Sequence, residues 1–142
     1  MTANPWNQKM IAEFHEKQGL GVGMFGDHVV LLTAKGAKSG DEITTPLVYG
    51  RDGDDYIVVA SKGGAPKNPS WFGNIKANPE VEIEVANAGG TEKFSARARP
   101  VDDRAERDRL YEKMTMIWPP FADYQARTER LIPVIRLERK TD

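Results

Sequence analysis

The apolar positions change period along this chain. Trp6, Met10 and Phe14 recur four apart with Ile11 beside them, which is one stripe of an amphipathic helix. Asn4 stands where an N-cap belongs, and Pro5 where the first turn tolerates its missing donor. The helix is expected to end near Gly19, and Gly19, Gly21 and Gly23 make the next stretch a loop. From Val29 the pattern turns to short β-branched runs. Val29 to Thr33, Thr44 to Tyr49 and Tyr56 to Ser61 read as strands. Lys35 to Asp41 is a polar, glycine-bearing connection, and Arg51-Asp52-Gly53-Asp54 carries the Asp-Gly hairpin signal.

After a loop from Lys62 to Pro69, Ser70 is placed to cap a short helix through Ala77, which Asn78-Pro79 stops. Glu80, Glu82 and Glu84 alternate with Val81, Ile83 and Val85, the pattern of a half-buried antiparallel strand with the valines and isoleucine inward. Asn87-Ala88-Gly89-Gly90 turns the chain into Lys93 to Val101, where Phe94, Ala96 and Ala98 share one face. Asp103 and Glu106 have capping-box spacing. They open a helix whose inner face is Leu110, Met114 and Ile117 and whose end is Pro119-Pro120. A helical turn around Ala122 to Thr128 and a last strand from Ile132 to Leu137 close the pattern.

Short strands joined by hairpins, with no repeated βαβ unit, predict an α+β, mainly β fold: an antiparallel barrel with an N-terminal helix and peripheral helices. The 142 residues fit one domain over 1–142, with residues 1–24 a helix and loop and 25–142 the barrel. The 20 Lys plus Arg nearly cancel the 21 Asp plus Glu, which argues against a nucleic-acid binder held by bulk charge. Cysteine is absent, so disulfides, thiolate metal sites and thiol chemistry are excluded and a reducing compartment is accommodated. Apolar runs such as Val29 to Leu32 are far shorter than the roughly 20 residues of a membrane span, and the N-terminus lacks a signal-peptide pattern. A cytoplasmic chain is the expectation. His15 and His28 stand alone, outside any helix-spaced ligand motif, and no metal is expected.

Three segments carry candidate chemistry. Lys35-Gly36-Ala37-Lys38-Ser39-Gly40 offers two ammonium groups, a hydroxyl and backbone N–H groups to a phosphate, and it equally makes an ordinary solvated hairpin. Ser61 to Asn74 joins a strand end to a helix start, with Lys62 and Lys67 beside Trp71 and Phe72. Unpaired N–H groups at a helix start favour anions, and flat apolar faces beside polar groups suit an aromatic, anionic ligand. The plainer reading of Trp71 and Phe72 is core packing. Trp118 to Thr128 sets Trp118, Phe121 and Tyr124 in a proline-broken loop, either the wall of a site or a lid on the barrel. Glu80, Glu82 and Glu84 are read as the wet face of a strand rather than as acid–base pairs.

Together these segments resemble the deazaflavin-dependent nitroreductase family, from about residue 25 to the C-terminus. The likeness lies in the order and spacing of Leu31-Leu32-Thr33, Gly36-Ala37-Lys38-Ser39-Gly40, Thr44-Thr45-Pro46-Leu47-Val48-Tyr49, Ala60-Ser61-Lys62-Gly63-Gly64, Pro69-Ser70-Trp71-Phe72 with Asn74 and Asn78-Pro79, and Ala122-Asp123-Tyr124-Gln125-Ala126-Arg127-Thr128. That family is similar in fold to the split β-barrels that bind flavin mononucleotide (FMN).

The resemblance implies coenzyme F420 as cofactor and hydride transfer from the reduced deazaflavin to a quinone, a nitro compound or an unsaturated lactone or enone. The loop of Ala37, Lys38 and Ser39 would hold the cofactor's phosphate and acidic tail. Thr44, Thr45, Pro46, Leu47 and Val48 would line the groove under its ribityl chain and ring. Ala60, Ser61 and Lys62 would border the ring, Trp71, Phe72 and Asn74 would complete the far wall, and Tyr124 would sit over the ring. Ser61 and Tyr124 are the catalytic candidates, as donors or orienters of the proton that follows the hydride. The chain departs from the family at Ala37, where arginine is common, at Ile43, where arginine or another polar residue is common, and at Phe72, where tyrosine is frequent. Lys35 and Lys62 are placed to supply the missing charge. The rivals are an FMN enzyme on the same barrel and a non-catalytic deazaflavin carrier. The expected partner is a small-molecule acceptor, with a homodimer across the barrel's open side; Trp6, Met10 and Phe14 are read as core packing in preference to docking on a membrane or subunit.

Overall fold

A computed structural model describes residues 5–140. The proposed N-cap Asn4 lies outside them. Helix α1 is Pro5–Glu16 and buries Met10 and Phe14, which pack with Val22, Val29 and Leu31. The seven strands are β1 Val29–Lys35, β2 Glu42–Val48, β3 Gly50–Asp52, β4 Asp55–Val59, β5 Glu80–Asn87, β6 Gly90–Pro100 and β7 Val134–Arg139. They form one sheet in the order β2-β1-β5-β6-β7-β4-β3, antiparallel at every pairing. The two edge strands, β2 and β3, are consecutive in the chain and separated only by Tyr49. The sheet therefore curls until its ends nearly meet, as a split barrel does.

That curl corrects one expectation. Thr44 to Tyr49 is not a self-contained strand before a turn, because the chain changes partner at Tyr49. Val48 still pairs with Val29 of β1, while Gly50 already pairs with Ile57 of β4. A strand that serves both ends of a curled sheet must bend between them. Glycine suits the bend, since a Cβ on Gly50 would lie 2.7 Å from the Met114 sulfur.

Helices α2 (Ser70–Ala77), α3 (Arg104–Ile117) and α4 (Pro120–Ala126) are the other α-helices of the described residues. Ser70 is the first helical residue and not the cap. Extended Pro69 takes the cap position without a side-chain bond, because its ring fixes φ and its missing N–H costs nothing there. Asp103 does cap α3, accepting the Glu106 N–H at 2.9 Å. Glu106 turns its own carboxylate to Arg136 instead of closing the box.

The sheet is covered on two faces. Val30, Leu32, Val58, Ile83 and Ile135 pack with Trp71 and Ile75 of α2. Ile57, Val59 and Val134 pack with Leu110 and Met114 of α3 and Phe121 of α4. The β5 alternation holds, with Val81, Ile83 and Val85 buried. Its glutamates are tied at the surface: Glu80 to Lys140, Glu82 to Lys93, and Glu84 to His15 at 3.1 Å. No described helix is long and apolar enough to cross a membrane.

Candidate functional site

A cleft of about 600 Å³ opens where β2, the turn after β4, the start of α2 and the α3–α4 corner converge. Each wall follows from local structure. On β2, Thr45 and Leu47 face the cleft with Ile43, and Pro46 and Val48 also border it. Side chains alternate along a strand, so Thr44 turns the other way and its hydroxyl meets that of Thr33 at 2.7 Å. Pro46 is tolerated because β2 is an edge strand with no partner on its outer side.

The second wall is the turn of Ser61, Lys62 and Gly63. It forms a 3-10 turn at Lys62–Gly64 with Ser61 in right-handed helical backbone, and Lys62, Gly63 and Gly64 at φ of 47°, 63° and 83°. Backbone that passes from right- to left-handed helical residues turns successive N–H groups to one side and makes an anion-receptive concavity. Ala60 precedes this turn fully buried. It contributes through its backbone, its N–H donating to the Pro133 carbonyl at 3.0 Å.

The third wall is the start of α2, with Pro69, Ser70, Trp71 and Asn74 at the cleft. Phe72 lies in the core, edge-on to Trp71 at 6.5 Å. Both aromatics are buried in the core, and of the two Trp71 alone also borders the cleft. Asn74 also reaches outward, its Oδ1 accepting the Ala37 N–H at 3.0 Å. Ala37, Lys38 and Ser39 therefore sit beside the mouth, anchored through the Ala37 backbone but outside the lining. The Ser39 hydroxyl accepts the Asp41 N–H at 3.1 Å, so it shapes its own loop.

The fourth wall is aromatic: Trp118, Phe121 and Tyr124 from the proline-broken corner. Trp118 packs edge-to-face on Phe25 at 5.0 Å, and Phe25 on Trp6 at 5.9 Å. Trp6 thus joins the cleft with Asn7 while Met10 and Phe14 go into the core. The periodicity of α1 did not separate Trp6 from its stripe, because position on a helix face does not tell core from cleft rim. Phe25 and Val59 also line the site without a motif to mark them.

A family model described as F420H(2)-dependent quinone reductase matches residues 6–139. The chain belongs to that family. The F420H(2)-dependent quinone reductase Rv1261c of Mycobacterium tuberculosis is 43% identical over 116 residues, covering 78% of this chain and 73% of the relative. A solved F420-H2 dependent reductase, FDR-A, is 39% identical with a TM-score of 0.69, covering 78% of this chain and 94% of that one. A structure described as a domain-swapped dimer is 36% identical with a TM-score of 0.70, covering 94% of this chain and 97% of that one.

The family is F420H2-dependent, so the chain is an F420H2-dependent reductase and coenzyme F420 is its cofactor. The residues present fit that group. The cleft has flat apolar faces for a ring and, at Lys62 and the left-handed turn, a cation and exposed backbone for an anionic tail.

Proposed function

We propose that this F420H2-dependent reductase seats the deazaflavin between β2 and the Ser61–Gly63 turn, under Tyr124, and reduces a quinone held against the aromatic wall. The observation that carries the reading is the convergence on one cleft of Thr45, Pro46, Leu47 and Val48 with Ser61, Lys62 and Tyr124. When bound, the reduced cofactor supplies a hydride, so the reaction is a two-electron transfer. The remaining work belongs to the chain. Thr45 and Leu47 support the ring, and Lys62 with the turn receives the tail. Lys38, beside the mouth, takes the outer end of that tail. Trp6, Phe25, Trp118 and Phe121 keep the acceptor dry and flat against the ring. The Ser61 or Tyr124 hydroxyl gives or orients the proton that the acceptor takes up. Ser61→Ala and Tyr124→Phe should each slow turnover, and unchanged turnover in both would remove these two from the mechanism.

The quinone is supported by the family description and the uncharged aromatic wall. A homodimer is supported by the relative solved as a domain-swapped dimer, and sedimentation would test it. A cytoplasmic location accords with the absence of cysteine.

The three tryptophans of the chain, Trp6, Trp71 and Trp118, all line the cleft, so cofactor binding is readable by their quenching. Titration with oxidised and reduced F420, with FMN in parallel, should give saturable quenching by F420 alone. A panel of quinone, nitro and enone acceptors should then show quinone reduction. Tight binding with no turnover on any acceptor would make the protein a deazaflavin carrier instead.

A further inference from the structure

The Ser61–Gly64 turn holds an unfavourable backbone, and one distant side chain braces it. Lys62 has a φ of 47°, left-handed backbone that a residue with a Cβ adopts only when its surroundings impose it. The carbonyls flanking this turn converge on the guanidinium of Arg130. Nη1 donates to the Ala60 carbonyl at 3.2 Å, Nη2 to the Ser61 carbonyl at 2.7 Å and Nε to the Ala65 carbonyl at 2.9 Å. Nη1 also donates to Asn68 Oδ1 at 2.8 Å. These acceptors are all neutral. Burial presses the Arg130 pKa downward, yet a guanidinium stays charged in a protein.

The brace continues to the opposite wall. The Arg130 carbonyl accepts from Gln125 Nε2 at 2.8 Å. Gln125 Oε1 in turn accepts from Arg107 Nη2 at 2.5 Å and from the Ile132 N–H at 3.1 Å. Gln125 directly follows Tyr124 on α4. Gly64 abuts the same helix, where a Cβ would lie 2.8 Å from the Tyr124 carbonyl oxygen.

We propose that Arg130 is a positioning residue of the cofactor cleft: it clamps the Ser61–Gly64 turn in its left-handed shape and fixes the turn's distance from Tyr124. This rests on the reading of the cleft as the F420 site. Arg130 touches neither cofactor nor acceptor. It acts through the turn, whose shape sets where Ser61 and the backbone N–H groups stand, and its charge adds positive potential behind a wall that faces an anionic tail. A lysine carries the same charge but cannot span acceptors arranged around a planar fork.

The test compares Arg130→Lys and Arg130→Ala with wild type, using Arg104→Ala at an exposed pair with Asp108 as control. The readouts are F420 affinity by tryptophan quenching, KM and kcat for reduced F420, melting temperature, and NMR hydrogen exchange of the Gly64 and Ala65 amides. Those amides close the turn on the Ser61 and Lys62 carbonyls at 3.0 and 3.1 Å. Arg130→Lys should raise Kd and KM about tenfold or more, since small misplacements are costly at a hydride-transfer site. It should also speed exchange at both amides, and Arg130→Ala should do more. A merely structural arginine would lower the melting temperature and the folded fraction and leave KM and Kd of the folded protein unchanged. Wild-type KM, Kd and exchange in folded Arg130→Lys would overturn the proposal. A wild type that leaves F420 unbound would sink the functional reading instead. The exchange comparison alone would then decide the clamp, with unchanged rates overturning it and faster rates upholding it.

Discussion

Gly64→Ala tests how rigidly the two cleft walls are joined. Gly64 has a φ of 83°, and an added Cβ would lie 2.8 Å from the Tyr124 carbonyl oxygen, 3.1 Å from its Cα and 3.3 Å from Arg127 Cβ. Two costs follow. Left-handed backbone costs an L-residue about 1–2 kcal/mol. The contact with Tyr124 is about half an ångström short of an ordinary one and meets backbone, which cannot rotate aside, so overpacking adds about 1–3 kcal/mol. Gly89 is the matched control, because its φ is 84° and a Cβ there meets nothing within 4 Å. Gly89→Ala should carry the backbone cost alone. The difference between the two variants in urea unfolding isolates the contact, and it should be about 1–3 kcal/mol. Gln125 ties α4 to Arg107 and Ile132, so the turn yields before the helix does. Affinity for F420 should then fall about tenfold for each 1.4 kcal/mol transferred to the bound geometry. Gly64→Ala no less stable than Gly89→Ala, with wild-type affinity, would refute the claim that turn and helix are rigidly apposed.

Two further outcomes concern the scaffold. Hydrogen bonds first from Arg109 and then from Arg136 and Lys113 hold the Asp52 carboxyl well below the ordinary carboxylate range. A depressed folded pKa contributes stability above the unfolded value and loses it as pH falls through the folded one. The melting temperature should therefore drop below the ordinary carboxylate range, and Asp52→Asn should lower it at neutral pH while flattening that acid limb. The Tyr111 hydroxyl donates to the Phe121 carbonyl at 2.6 Å, and burial pushes its pKa up from 10.0 to about 12. Its share of stability is present below pH 10 and lost as pH rises toward the folded value. Tyr111→Phe should cost about 0.5–1.5 kcal/mol in urea unfolding by removing that hydrogen bond, and should remove Tyr111's part of the alkaline loss.

The local elements were legible in the sequence because their signals are local. The β5 alternation put Val81, Ile83 and Val85 inside, and Asp103 capped α3 through a bond spanning three residues. The Asp-Gly turn joined two strands as expected, since Asp52 pairs with Asp55. The motif order singled out stretches 44–49, 60–64, 69–74 and 122–128, and each of the four contributes residues to one cleft. Within a segment it did not say which side chains face that cleft. Thr44 and Thr45 are neighbours in the same motif, yet only Thr45 lines the site. Their assignment depends on strand register against β1, a non-local quantity.

By itself the sequence determined where the helices and most strands run, which segments carry polar and aromatic chemistry, and which family those segments belong to. Hydrophobic period, capping and turn residues act over a few residues and are written in order. The tertiary structure decided the rest. The change of partner at Tyr49 follows from the curl of the whole sheet. Trp6 reaches the cleft because the fold leaves the first turn of α1 against Phe25, which in turn packs on Trp118. Arg130 joins carbonyls more than 60 positions earlier in the chain. A lone arginine followed by Leu131 and Ile132 carries no local sign of that, because three of its four acceptors are backbone carbonyls. Backbone carbonyls have no sequence identity, so only the fold can say which of them a guanidinium will meet.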